Sequence, residues 1–199
     1  GSGLVGSEMC IRDRSCVPAT PFETSGFDLN SYDLSLLIDK PWVLGLAEMM
    51  NFPGVLNQDN NVMAKLELAK SRGKCIDGHA PYLHGKDLCA YIASGVKSDH
   101  ECTTPDEAVE KLRLGMYVMV REGTAAKDLD ALMPVLKTCN TRKCIFVTDD
   151  RHPADLKEHI NGMVRRAVEA GVDPVKAIQI ASLNTAEYFG LKNLGAIAP

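Results

Sequence analysis

KCIFVTDDRHP (residues 143–153) contains four apolar residues, Cys144 to Val147, that run directly into Thr148, Asp149, Asp150, Arg151 and His152. A run this short, with β-branched Ile145 and Val147, reads as a strand buried on both faces. No turn residue separates it from the charges, and Pro153 comes only afterwards. A buried strand that ends in adjacent carboxylates has a large desolvation cost to offset. A metal ion, a cationic side chain or a transferable proton each does that. The plain alternative is a helix cap, with Asp150 or His152 preceding a start at Pro153, Ala154 and Asp155. Asp149 lies nearer the strand and suits a cap less.

The same design repeats outward from this stretch. Apolar runs at 42–50, 74–79, 96–100 and 117–120 alternate with helical patterns at 29–38, 62–69, 86–93, 106–114 and 126–136. Further helices are expected at 155–170, 174–181 and 185–188, and a strand at 15–19. Thr104 before Pro105, with Glu107 at the box position, marks one helix start. Such alternation predicts parallel strands and an α/β fold, either a doubly wound sheet or a β/α barrel. The polar residues choose between them. Glu48, His79, His100 and Asp149 each end a different apolar run, as do Arg121 and Glu122. In a barrel those ends converge on one face; in an open sheet only strands beside the switch point meet. The barrel is therefore the expectation.

Composition narrows the classes. The chain has 199 residues, is 45% hydrophobic and 24% charged, and carries a formal charge of −4. No basic stripe is present, which argues against nucleic-acid partners. No apolar run approaches the ~20 residues of a membrane span. The seven cysteines are odd in number and none forms C-x-x-C. Cys75, Cys89, Cys102 and Cys144 read as small buried hydrophobes of a reducing, cytoplasmic compartment. Met49, Met50 and Met63 read as packing residues, and Arg165 and Arg166 as the outward face of a core helix. Gly26 and Gly123 read as turn residues, since no phosphate-loop pattern accompanies them.

Two imidazoles and two carboxylates are a ligand set suited to divalent zinc, manganese or iron. Singly, a strand-end histidine is often a hydrogen-bonded structural residue and a lone glutamate an ion-pair partner. Glu48 resists that reading because its surroundings, 44–50, are otherwise apolar.

A Glu-His-His-Asp series on successive strands resembles the amidohydrolase superfamily. The words GLAEMMNFPGVL (45–56), IDGHAP (76–81), GKDLCAYIASG (85–95), SDHECTT (98–104), EKLRLGMYVMVREG (110–123), FVTDDRHP (146–153) and NTAEYFGL (184–191) resemble its bacterial and archaeal adenine deaminases. The likeness covers about 15–199. It implies a metal-dependent barrel that uses a metal-bound hydroxide to convert adenine to hypoxanthine and ammonia. By that resemblance Glu48 bridges a dinuclear divalent site, manganese or iron with zinc also compatible. His79, His100 and Asp149 are the other ligands, and Asp149 also shuttles protons. Glu101 joins Asp149 as a catalytic candidate, and Arg121, Glu122 and Asp150 are candidates for the purine edge. The partner implied is a small purine base, with the full-length protein a homodimer.

The resemblance has gaps. The H-x-H of the family's first strand is absent, and Tyr82 and His84 stand where smaller residues are expected. The expectation is a partial (β/α)8 barrel over residues 15–190 that lacks its first strands. Residues 191–199 would begin the return to a C-terminal β domain. Residues 9–13 back-translate to a transposon-type sequencing adapter, so 1–14 are expected to lie outside the natural protein. Exposed edges would make the isolated chain poorly soluble, and the ligands missing with the H-x-H would leave it largely inactive. Two other readings stay open: another amidohydrolase acting on a cyclic amide or aminated base, and a non-catalytic barrel remnant.

Overall fold

Short strands alternate with helices along the chain, and the registered pairings between them are parallel. The computed structural model describes residues 11–13, 18–20 and 22–197. The chain divides into two compact units, residues 1–98 and 99–199.

The sheet of the first unit has the order β1 (Ile11–Asp13), β2 (Val43–Met49), β3 (Cys75–Gly78). Glu48 is the one charged residue of β2, and Leu46 and Met49 are fully buried. Gly45 lets β2 lie close to β3: a Cβ there would sit 2.6 Å from the Cys75 carbonyl oxygen. Helices α1 (Ser31–Ser35), α2 (Phe52–Leu56), α3 (Asn60–Ser71) and α4 (Gly85–Ala93) accompany the sheet. Asn30 fixes the start of α1 with a capping box, accepting from the Tyr32 and Asp33 N–H groups at 2.8 and 3.2 Å. The helix expected at 29–38 is consequently shorter, and a turn carries the chain on to buried Ile38. In α3, Val62, Leu66 and Ala69 form the expected buried face.

Strand β1 falls within the stretch expected to lie outside the natural protein; it pairs in parallel with β2, from Ile11 opposite Val43 to Asp13 opposite Leu46. The strand expected at 15–19 lies partly outside the described residues, and 18–20 form a bend.

The second sheet has the order β4 (Ser98–Asp99), β5 (Tyr117–Arg121), β6 (Cys144–Val147). β5 and β6 are in register from Val118 opposite Cys144 to Arg121 opposite Val147. Helices α5 (Pro105–Arg113), α6 (Leu129–Thr138), α7 (Ile160–Glu169), α8 (Pro174–Ala181) and α9 (Leu183–Phe189) follow in order. Val118, Val120 and Phe146 pack with Leu132, Leu136, Met163 and Ile180 in one core. Each such buried side chain contributes roughly 1.5–3 kcal/mol. Asn184 ties α9 to the start of β6, its amide donating to the Thr141 and Cys144 carbonyls at 2.8 Å each.

Three further boundaries differ from expectation. The run at 96–100 yields a strand of only two residues. The helix expected from 126 starts at Leu129, because Gly123 N–H bonds the Ala126 carbonyl and Glu122 bridges Lys127 in a tight turn. The helix expected at 155–170 starts at Ile160, and Pro153–Asp155 is a separate 3-10 turn. Thr124 explains that break: its hydroxyl donates to Asp155 at 2.7 Å and accepts from His152 N–H at 2.8 Å. Residues 191–197 form turns and bends, and 198–199 lie outside the described residues. Cys102 and Cys144 are buried as expected, but Cys75 is half-buried and Cys89 exposed.

Candidate functional site

In the first unit, Glu48 is the penultimate residue of β2 and His79 follows β3 directly. The β2–β3 register shifts between Leu46 and Met49, an irregularity of the kind that re-aims a strand-end side chain. His79 Nδ1 lies 3.3 Å from Glu48 Oε2. Fully buried Tyr91 fixes both strand ends at once. Its hydroxyl donates to the Met49 carbonyl at 2.7 Å and accepts from His79 N–H at 3.1 Å. Gly78 leaves no room for a side chain, since a Cβ would lie 2.2 Å from the Ser98 carbonyl oxygen. Nearby, Tyr82 adopts a left-handed φ of 59° while 75% exposed. A bulky residue pays for that conformation, which glycine adopts freely. His84 is exposed at the start of α4 and makes no capping bond.

The second unit gathers charge. His100 follows β4, and its Nε2 lies 3.4 Å from Glu101 Oε1. Arg121, at the end of β5, is buried and faces three carboxylates. Its Nε donates to Asp128 at 3.0 Å, and its Nη1 donates to Asp149 at 3.0 Å and also to Glu101. Burial acts to lower the Arg121 pKa, but the bonds to Asp149 and Asp128 and the charge of Glu101 outweigh it and raise it. Ligand atoms of His100, Glu101 and Asp149 lie within 4.8 Å of one another. Two carboxylates that close repel by roughly 3.5 kcal/mol at an effective dielectric constant of about 20. The shared guanidinium offsets that repulsion.

Asp149 has a left-handed φ of 56°, which aspartate tolerates better than most residues. The loop beside it explains how this bend is held. Glu122 N–H donates to the Val147 carbonyl and Thr124 N–H to the Asp150 carbonyl, both at 3.0 Å. A Cβ at Gly123 would lie 2.9 Å from the carbonyl oxygens of both Thr148 and Asp150. Only glycine permits this close approach. Asp150 itself is exposed. His152 takes the capping role, its Nδ1 accepting from Ala154 N–H at 3.2 Å. Glu122 is buried against Arg166, which also reaches Asp130 at 2.7 Å. Arg166 is therefore an ion-pair partner and not simply part of an outward face.

Behind His100 lies a network the sequence did not disclose. Buried Asp99 accepts from Lys111 Nζ at 2.8 Å and from Glu101 N–H at 3.1 Å. Lys111 also reaches Glu107 at 2.8 Å. The Glu107 carboxylate thus serves Lys111 and the Thr103 N–H, while Thr104 caps α5. Burial acts to lower the Lys111 pKa; the Asp99 charge leads the effects that raise it. Asp99, Cys102 and Glu107 are close enough to share an ion, but the Lys111 ammonium already supplies the cation. Burial also pushes the Cys102 thiol upward, so it stays protonated.

The family model for the amidohydrolase family matches residues 14–199. The chain belongs to the amidohydrolase family. Adenine deaminase of Desulfatibacillum aliphaticivorans is 57% identical over 187 residues, which cover 93% of this chain and 33% of that protein. Adenine deaminase of Methanothrix thermoacetophila is 50% identical over 186 residues, again 93% of this chain and 33% of that one. The chain thus spans about a third of the length of the curated relatives it matches. Among solved structures, the β-aspartyl dipeptidase of Fervidobacterium islandicum AW-1 aligns with TM-score 0.58 and 15% identity, over 94% of this chain and 56% of that one. An amidohydrolase crystal structure aligns with TM-score 0.52 and 20% identity, over 70% of this chain and 39% of that one. The fold class is accordingly α/β, part of an amidohydrolase barrel.

Amidohydrolases are metal-dependent, and the donor sets fit that chemistry. Bonds of about 2.0–2.2 Å place two ligand atoms on one ion about 3–4 Å apart. Glu48 and His79, at 3.3 Å, meet that spacing. The atoms of His100, Glu101 and Asp149, all within 4.8 Å, would need to close by under about an ångström. Sequence reasoning missed Tyr91, Asp99, Lys111 and Asp128. Asp128 was hidden because it occupies a helix N-cap position, where aspartate is ordinary.

Proposed function

We propose that the enzyme carrying this sequence hydrolyses adenine to hypoxanthine and ammonia. The observation that carries the reading is the grouping of His100, Glu101 and Asp149, in a chain more than half identical to proteins named adenine deaminase. Glu48, His79, His100 and Asp149 are the residues that would hold divalent metal, proposed as a dinuclear centre of manganese or iron with zinc also compatible. A cation there would supply acidity, lowering the pKa of a bound water towards neutrality.

The chain's own residues supply the rest. Asp149 takes a proton from the attacking water and delivers it to the departing nitrogen. Water oxygen bonds to adenine C6, the C6–N bond breaks, and ammonia leaves. Glu101, beside Asp149 on the same guanidinium, is the second proton-handling candidate. Arg121, Glu122 and Asp150 adjoin this group and are the candidates for the purine edge. Arg121 and Glu122 are engaged by charged partners, which favours exposed Asp150 for that contact. The partner is a small purine base, and we assign the enzyme to the cytoplasm as a homodimer. Among the described residues no helix is long and apolar enough to cross a membrane.

The test is a substrate panel on the full open reading frame, reconstituted with manganese, iron or zinc. Adenine, a dihydropyrimidine and a hydantoin are offered, and ammonia and hypoxanthine are measured. Adenine turnover that a chelator abolishes and metal restores is the expected result. Turnover of the cyclic amides alone would overturn the adenine assignment. A protein with no stoichiometric metal would overturn the enzyme reading.

A further inference from the structure

We infer that Asp128 and Arg121 form a positioning clamp for the two proton-handling carboxylates, with Asp128 the residue that aims it. The inference rests on the reading of Asp149 and Glu101 given above and extends it to a residue with no assigned role. Asp128 occupies the N-cap position of α6, yet its side chain makes no capping bond. Its carboxylate is turned instead to Arg121 Nε, 3.0 Å away and buried. The vacated duty passes to Glu122, whose Oε2 accepts from Leu129 N–H at 3.4 Å. A helix start that gives up its own cap to hold an arginine is explained by what that arginine holds.

Arg121 presents a single nitrogen, Nη1, to both Glu101 and Asp149. The guanidinium is rigid and planar, so fixing Nε fixes where Nη1 points. Asp128 thereby sets the direction from which the two carboxylates are held. A lysine in place of Arg121 brings one point charge on a flexible stem and cannot satisfy three carboxylates in this geometry. Asp128 touches neither the reacting water nor the base. It acts through Asp149 and Glu101.

The experiment compares wild type, Asp128→Asn, Arg121→Lys and Arg121→Ala in the full open reading frame, each loaded with metal. Asp128→Asn retains shape and removes charge. It is expected to lower kcat about 10- to 100-fold while KM for adenine stays within about twofold, as misplacement of a reacting group does. Metal content and the circular-dichroism spectrum should match wild type. Arg121→Lys should fall further, and Arg121→Ala should regain part of its kcat with millimolar guanidinium but not with ammonium. Wild-type kcat in a folded Asp128→Asn enzyme would overturn the clamp. So would a kcat loss that tracks lost metal or lost fold, or an Arg121→Ala enzyme indifferent to guanidinium. If the wild type does not act on adenine, the functional reading fails by itself. The clamp is then judged from the Asp128→Asn crystal structure. Arg121 swung away, with the Asp149 carboxylate displaced, supports it; an unchanged Asp149 carboxylate position overturns it.

Discussion

The two units solve the same problem with different materials. Each must hold polar side chains rigid at the end of a strand. The first unit buries Lys65 and Asp77, but to hold the ends of β2 and β3 it relies on neutral groups: Gly45 and Gly78 bring backbones together, and the Tyr91 hydroxyl joins the two strand ends. The second unit does so with buried charge: Lys111 between Asp99 and Glu107, and Arg121 among Asp128, Glu101 and Asp149. The difference teaches what each unit tolerates. A neutral scaffold fails when volume changes, whereas a charged one fails when a partner is removed.

The largest expected effect is on the charged side. Lys111→Ala strands Asp99 and Glu107 without their cation and should cost about 3–5 kcal/mol. Urea unfolding measures it, and a cost below about 1 kcal/mol, the range of an exposed pair, would erase the contrast between the units. Next is Gly78→Ala in the first unit. The added methyl meets the Ser98 carbonyl oxygen at 2.2 Å and Val96 Cγ1 at 2.6 Å, so overpacking should cost about 1–3 kcal/mol. Isosteric Tyr91→Phe removes only the hydroxyl and should cost about 1–2 kcal/mol. Its sharper readout is looser metal retention at Glu48 and His79 on dialysis against a weak chelator; unchanged retention would show that the hydroxyl positions nothing. The smallest effect is a gain. Tyr82→Gly relieves the left-handed strain but adds chain freedom in the unfolded state, for a net of about 0.5 kcal/mol. A lowered urea midpoint would mean that the exposed ring packs on something.

Much of this arrangement is legible before folding. The runs at 42–50, 74–79, 117–120 and 144–147 become strands, because a few apolar, β-branched residues bounded by polar ones have few other uses. The expected ligands fall at strand ends: Glu48 in the last turn of pleat in β2, His79 and His100 immediately after β3 and β4, Asp149 just past β6. Helix starts at Thr104-Pro105 and Asp173-Pro174 are equally local. Less legible is the role of each charge. Lys111 and Glu107 look like an ordinary exposed pair four apart on an amphipathic helix, yet the lysine side chain is fully buried against Asp99. Arg166 looks like part of a solvated face and instead reaches Glu122, 44 positions away.

The sequence by itself determined the alternation of strand and helix and the chemical kinds of residue that end the strands. Both are written in spacing, and spacing is a property of neighbours along the chain. Only the tertiary structure decided which carboxylate each cation serves. Arg121 and Asp149 are 28 positions apart, and what brings them together is the parallel pairing of β5 with β6. Partner choice among buried charges follows from which strands lie side by side, and no local pattern encodes that.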